Sequence, residues 1–453
     1  MTDDLIALLQ ALDSRQYRYK ILDNYYNGVS PLSFLSPEAK VALRNFDHLS
    51  SNLCRTAVLS IQERLRPSGI DGSTAWPLFE YSDLDQLSAQ VHRDALLYGV
   101  GYLCVWEDAR GNARATVESP KQVTVVRDPV TRDITMAVKR VRTKKTTEAW
   151  VYYPDRVEHW QANTPSAGNA GYGLLETIPH SLGVVPIIAI GHEDAPSVID
   201  DLLTIQDAIN KLLTDMLIAS EYAGRPRRWA SGIEGKEVPV LDAETGEPTT
   251  DPDTGEVITE TVSPFPEGNR FMWSEEPASR FGSLPAADLK VFESGIRVLI
   301  SQAMMVSGLP AHYVGLLQDS VTSADALRAA EAALVARCEA FQRVFGIGWE
   351  AVARVLVAIR DNVDPVTVTA RIVWSPADTR SQAQEADYAV KLYQSGILSR
   401  RGVLKRLGLT ADEIEAELQN VREEAQVGHD LKFAAFSRDL DTMSGKPSER
   451  PAA

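Results

Sequence analysis

Two long amphipathic patterns separated by a short stretch of different character constrain this chain most. Ile199, Leu202, Ile205, Ile209, Leu212, Met216 and Ala219 step by three or four along one face and stop near Gly224-Arg225-Pro226, the spacing of a helix with one buried side. A second such pattern runs from about Ala286 to Ser307, with Leu289, Phe292, Ile296, Leu299 and Ala303 on one face, and Gly308-Leu309-Pro310 closes it. Strand and turn signals fill the residues between, including two acidic repeats, Glu244-Thr245-Gly246-Glu247 and Asp253-Thr254-Gly255-Glu256. These repeats read as an exposed hairpin tip or loop. Two long helices thus bracket a small β insert.

Leu5, Leu8, Leu9 and Leu12 predict a helix at the start, followed by a loop at Asn27-Gly28 and Pro31 and a second helix through Val58, Ile61 and Leu65 that Pro67 and Gly69 close. A helix from about Asp83 to Tyr98 should break at Gly99 and Gly101 before the β-type run Tyr102–Trp106. Between Ala113 and Ile190, short Val, Thr, Tyr and Trp segments alternate with turn signals and predict a β-rich layer. A third long helix starts at Thr322 or Ser323 and reaches about Arg360 through Leu327, Ala330, Leu334, Cys338, Phe341 and Phe345, with a kink expected at Gly346 and Gly348. Its Arg328, Arg337, Arg343, Arg354 and Arg360 balance Asp325, Glu331, Glu339, Glu350 and Asp361, the pattern of a solvated face laced with ion pairs. A strand over Val366–Trp374, helices over Thr379–Gln394, Ser399–Leu407 and Ala411–Gln426, and a flexible polar tail from about Arg438 complete the reading.

Composition narrows the function classes. The 453 residues are 44% hydrophobic and 24% charged, enough apolar material for a sizeable core, and the net charge is -16. Tight nucleic-acid binding draws on Lys and Arg neutralising phosphates, so an acidic chain is not expected to be a dedicated binder. Cys54, Cys104 and Cys338 are too few and too dispersed for a disulfide framework or a metal pair. The acidic N-terminus is unlike an export signal, and the longest apolar run, Val184–Ile190, falls well short of the ~20 residues that span a bilayer, so a soluble protein is expected.

No phosphate-binding glycine loop, His-Glu-x-x-His or Gly-x-Ser-x-Gly run is present. Glu193, Asp194, Asp200, Asp201 and Asp207 admit two readings: carboxylates for Mg2+ in a metal-dependent hydrolase or nuclease, or charges complementing a helix start. Three basic clusters stand out: Lys139-Arg140 with Arg142, Lys144 and Lys145; Arg225, Arg227 and Arg228 beside Trp229; and Arg400-Arg401 with Lys405-Arg406. Each is either a solvated patch or a contact for a phosphate or a protein partner. The second sits where a long helix gives way to the insert.

The order of these elements, with several local strings, resembles the portal proteins of tailed bacteriophages, specifically the siphophage portal family common in phages of actinobacteria. The strings are Tyr25-Tyr26-Asn27-Gly28 with Pro31-Leu32, Asp94-Ala95, Tyr98-Gly99-Val100-Gly101-Tyr102, His180-Ser181-Leu182-Gly183-Val184-Val185-Pro186, Gly308-Leu309-Pro310, Val314-Gly315 and Ser323-Ala324-Asp325-Ala326-Leu327-Arg328. The resemblance implies an α+β, mainly helical subunit. Its wing would take 1–197 and 322–374, the latter a long kinked helix and a strand returning to the wing; its two-helix stem would take 198–223 and 286–308. A small β-containing clip would take 224–285, a tunnel loop 309–321, a helical crown 375–437 and the tail 438–453.

The resemblance also implies a function. A portal is a dodecameric ring at one capsid vertex, a conduit for packaging and ejecting double-stranded DNA, and a docking platform for the large terminase subunit and the head–tail adaptor. It works with major capsid and scaffolding proteins, resides in the virion and, during assembly, in the host cytoplasm, and is neither an enzyme nor a cofactor carrier. Candidate DNA-facing residues are His312, Tyr313, Val314, Leu316, Leu317, Gln318, Asp319 and Ser320; candidate partner contacts are Arg225, Arg227, Arg228, Trp229, Arg270 and Trp273. The loop candidate 309–321 holds no Lys or Arg, so it could touch a DNA backbone without gripping it. The metal-dependent hydrolase and another head–tail connector or minor capsid protein are the alternatives.

Overall fold

The computed structural model describes residues 2–29, 51–224, 228–231, 236–241, 248–250, 255–262, 278–283, 288–315, 324–378, 382–407, 409 and 413–425. Helix α1 (Asp3–Asn27), α2 (Leu53–Gln62), strand β1 (Pro67–Asp71), α3 (Trp76–Tyr81) and α4 (Leu84–Tyr98) lead into eight strands. These are β2 (Val100–Glu107), β3 (Ala113–Glu118), β4 (Val123–Arg127), β5 (Ile134–Arg142), β6 (Thr147–Tyr152), β7 (Arg156–Ala162), β8 (Tyr172–Pro179) and β9 (Ile187–Gly191). Next come α5 (Leu203–Gly224), β10 (Arg228–Ser231), β11 (Lys236–Pro239), β12 (Thr259–Val262), β13 (Arg280–Ser283), α6 (Leu289–Ser307) and α7 (Ala324–Asp361). Strand β14 (Arg371–Trp374), α8 (Gln382–Gln394) and α9 (Arg400–Arg406) follow, and a further helix, α10, occupies 413–425. The chain divides into two compact units, one of Met1–Val29, Asn52–Leu203 and Ala303–Ala453, the other of Ser30–Ser51 and Thr204–Gln302.

In the first unit, strands β4 to β8 form an antiparallel five-stranded sheet in sequential order, and β3-β2-β9 form a three-stranded one. Alternation along the five-stranded sheet sends side chains to two buried faces. Val138, Ala149, Val151, Trp160 and Tyr172 meet Leu5, Leu8 and Leu9 of α1. Val123, Val125, Ala137, Tyr152 and Val157 meet Val100, Tyr102 and Cys104 of β2 and Ile187 of β9. Helix α1 stops where Gly28 takes φ 75°, and the N–H groups of Gly28 and Val29 bond back to the Tyr25 and Asn24 carbonyls at 3.1 and 2.8 Å.

The break after α4 also has a visible cause. At Gly101 an added Cβ would stand 2.6 Å from the Val91 carbonyl oxygen, and at Gly99, which has φ 90°, 2.5 Å from that of Ala195. Backbone approaches this close exclude any side chain.

Helix α7 continues through Gly346 and Gly348, and Gly348 also makes a contact: a Cβ there would lie 2.5 Å from Ile190 Cδ1 and 2.7 Å from the Ala189 oxygen of β9. The glycine lets helix and strand touch. The strand expected from Val366 begins only at Arg371, because Asp364 caps a 3-10 turn over Pro365–Thr367, its carboxylate accepting the Val366 N–H at 2.9 Å. Short helix α3 and strand β1, paired with β14, were not foreseen. The expected start of α7 at Thr322 or Ser323, the start of α8 at Thr379, the start of the last helix at Ala411 and the tail from Arg438 lie outside the described residues.

In the second unit, β10 pairs with β13 and β11 with β12, both antiparallel. Leu241 bridges to Pro248 and Thr250 to Val257. The insert is therefore a set of nested antiparallel pairings, and each acidic repeat falls between the two ends of one bridge.

Candidate channel loop and partner surface

The route into the loop is set by α6's C-terminus. Gly308 takes φ 70° and its N–H reaches the Met304 carbonyl at 2.8 Å, a left-handed helix stop that favours glycine. Ser307, 3% exposed, donates its hydroxyl to the Ala303 carbonyl at 2.6 Å, and its own carbonyl accepts Arg337 Nη1 from α7 at 2.5 Å. Burial pulls the Arg337 guanidinium below its usual range. Leu309 is buried, and residues Ala311–Val314 form a single 3-10 turn ended by Gly315 at φ 75°.

That turn is tied to two helices. Arg64, just past α2, donates Nη1 to the Tyr313 hydroxyl at 2.9 Å and to the Ser60 carbonyl at 3.2 Å, and its Nη2 to Glu331 Oε2 at 3.2 Å. The other carboxylate oxygen of Glu331, on α7, lies 3.1 Å from His312 Nε2. The Arg64 guanidinium also stands 5.7 Å from the centre of the Tyr313 ring. The Arg64 and Glu331 side chains are only 10% and 13% exposed, so their charges are spent on each other and on the two loop residues. The quartet holds the loop base without presenting a free cation.

His312, Tyr313 and Val314 are thus placed at an anchored base, half-buried. Leu316, Leu317, Gln318, Asp319 and Ser320 lie outside the described residues. Among the partner candidates, Arg228 lies in β10 opposite Ser283, while Trp229 is 45% exposed opposite Gly282. A Cβ at Gly282 would stand 2.6 Å from the indole, so the ring lies flat across the neighbouring strand. Arg225, Arg227, Arg270 and Trp273 lie outside the described residues.

Three members of the acidic set read as a possible Mg2+ site, Glu193, Asp194 and Asp200, are committed elsewhere. Arg127 grips Glu193 at 2.9 and 3.2 Å, Asp194 accepts from Arg15 at 3.5 Å, and Asp200 accepts from Arg18 at 2.5 Å and from the Ser197 N–H at 2.8 Å. Among the described residues no three His, Cys, Asp or Glu side chains are grouped to hold a metal. The first basic cluster is also partly internal, with Lys139 bonded to Glu118 at 2.7 Å and Arg140, 5% exposed, paired with Asp13. In the third, Lys405 reaches Asp71 at 2.7 Å and Arg406 lies 4.8 Å from the Tyr388 ring centre.

Sequence reasoning missed Arg64, Arg337 and the inward role of Glu331. The last two were read as part of a solvated face. Arg64 is 249 positions from Tyr313, and nothing in its local string signals the pairing.

The family model described as "Phage portal protein, SPP1 Gp6-like" matches residues 70–428. The chain belongs to this portal family. The portal protein of Mycobacterium phage L5 is 25% identical over 397 residues, covering 82% of this chain and 77% of its own length. That of Mycobacterium phage D29 is 26% identical over 395 residues, with the same coverage. Among solved structures, a chain from the neck of an empty gene transfer agent particle superposes with a TM-score of 0.44 at 13% identity, covering 83% of this chain and 95% of its own length. As a member of the portal family the protein is a phage structural component, and the early strings and the Gly308-Leu309-Pro310 junction that carried the resemblance fall largely within the matched span.

Proposed function

We propose that this portal protein assembles into a dodecameric ring at one capsid vertex, through which double-stranded DNA is packaged and later ejected. The family match over residues 70–428 carries the reading. On it, 1–197 and 322–374 build the wing, 198–223 and 286–308 the stem, 224–285 the clip, 309–321 the tunnel loop and 375–437 the crown. The clip docks the large terminase subunit and then the head–tail adaptor, and capsid and scaffolding proteins surround the wing. The subunit carries out no chemistry of its own and works in the virion after assembly in the host cytoplasm.

The loop base supports this reading physically. DNA of any sequence must slide past it, so strong phosphate contacts would retard passage. Arg64 is neutralised by Glu331, and the chain's net charge is -16. Pinning 311–314 to α2 and α7 fixes the position of the loop base.

Negative-stain microscopy with light scattering on the purified protein tests the proposal. Rings with a central hole and a mass near twelve copies are expected. Monomers that stay monomeric when scaffolding and capsid proteins are added would overturn it.

A further inference from the structure

Strands β4 and β8 are the two edges of the five-stranded sheet, and they end it differently. Val123 and Thr124 of β4 are buried, whereas every residue of β8 after Tyr172 is exposed. The outer side of β8 pairs with no strand among the described residues. Open edges are normally blunted by charged side chains, Pro or a bulge, because their free N–H and C=O groups are a template for another chain. Strand β8 has no Lys or Arg and holds its Pro only at the end, at Pro179. Its Leu174, Leu175 and Ile178 are 50%, 57% and 37% exposed.

A bulge is present: Leu175 is the extra residue between Leu174, opposite Trp160, and Glu176, opposite His159. It divides a uniform edge into two short stretches, which discourages open-ended stacking and suits a partner of one register. The exposed side chains also continue what is buried. Leu174 stands beside Trp160 in the layer shared with α1, and Ile178 beside Val157 in the layer shared with β2 and β9. Each is the outermost row of a buried cluster, one on each face of the sheet. A strand added along β8 would close both rows at once; a body lying on one face could close only one.

We propose that the free edge of β8 receives an extended segment of a different protein, which adds a sixth strand to the sheet. That segment carries apolar residues at alternate positions, to cover Leu174 and Ile178, and a Lys or Arg facing Glu176. Glu176 is the one charged residue of β8, is exposed, and forms no ion pair among the described residues. Its cross-strand neighbour His159 lies 3.3 Å from Glu148 and is stacked on Trp150. Arg156, opposite Pro179, is held by Glu158 at 3.0 Å and Asp155 at 3.2 Å. The Glu176 carboxylate is therefore left for a partner. Another copy of β8 has no cation to offer it, so self-pairing would leave that charge unmatched. The inference rests on the portal reading for its setting, a particle in which other proteins surround the subunit.

Hydrogen exchange with mass spectrometry tests this on purified rings, alone and after major capsid or scaffolding protein is added singly. Outward amides of β8 exchange fast while the edge is open, and strand addition protects them where side-chain contact does not. Exchange across 172–179 should slow at least tenfold with one added protein and stay fast in rings alone. Slow exchange already in rings alone would make the occupant another copy, and fast exchange with both added proteins would mean that no strand docks. Either result overturns the inference and leaves the portal reading standing. If no ring forms even with capsid and scaffolding proteins, the portal reading falls and this inference with it. The double variant Leu174→Lys with Ile178→Lys should abolish the slowing while ring mass and melting stay unchanged, and Glu176→Lys should weaken it several-fold, an effect that fades in high salt. A partner that protects the double variant as well as the wild type also overturns the inference.

Discussion

The first unit and the β insert of the second use apolar residues in opposite ways. In the first, Trp349, Tyr102 and Phe79 are fully buried. In the insert, Trp229, Val238, Val240, Leu241, Val257, Ile258 and Phe281 are all between 36% and 58% exposed. One region therefore holds itself together by burying side chains. The other is held by ladder hydrogen bonds between paired strands, an arrangement that is marginal alone in water. Apolar side chains left open on such a ribbon are a surface for something else to cover.

The sharpest way to break this contrast is Trp349→Ala. It should cost about 3–5 kcal/mol in denaturant unfolding, since Trp349 packs edge-on to Phe79 and donates its indole N–H to His92 Nε2 at 2.8 Å. Removing the loop anchor with Arg64→Ala should cost about 2 kcal/mol and raise amide exchange across 309–315 without changing exchange in β4 to β8. An unchanged exchange rate there would mean the loop base is held by other contacts.

Acid sensitivity gives a third measure. Burial holds the His92 imidazole down at about 3, against an ordinary 6.5. Between those values the unfolded chain binds the proton that the folded one refuses, so stability falls as pH drops through that window. Going from pH 7 to 5, His92→Gln, which keeps an acceptor for Trp349, should lose about 2 kcal/mol less than the wild type. The smallest effect belongs to the ribbon. Trp229→Ala should shift unfolding by about 0.5 kcal/mol or less, yet weaken binding of terminase or adaptor in a pull-down from reconstituted components. A large stability loss would show that the indole belongs to a core after all.

Elements with a regular repeat and clear punctuation could be read directly. Leu5, Leu8, Leu9 and Leu12 announced α1, Gly99 and Gly101 the end of α4, and Gly308-Leu309-Pro310 the end of α6. Harder to read were features that depend on what lies opposite. The contact made at Gly348 was hidden because the sequence does not show β9 pressing on it. Glu331 looked solvated because its partners, Arg64 and His312, come from distant positions. The loop was placed at 309–321 by the resemblance to portal proteins, and its anchoring by Arg64 and Glu331 was not legible at all. The acidic pair Asp194 and Asp200 suggested a metal only until Arg15 and Arg18 were seen beside them.

The nested bridges carry one more consequence. Because Leu241 is closed on Pro248 and Thr250 on Val257, the register of β11 on β12 does not depend on what spans 242–247 or 251–254. Those two spans can lengthen, shorten or change sequence across generations at little cost to the ladder beneath. They are also natural addresses for an inserted epitope or fluorophore tag, from which the ribbon could be followed in an assembling particle.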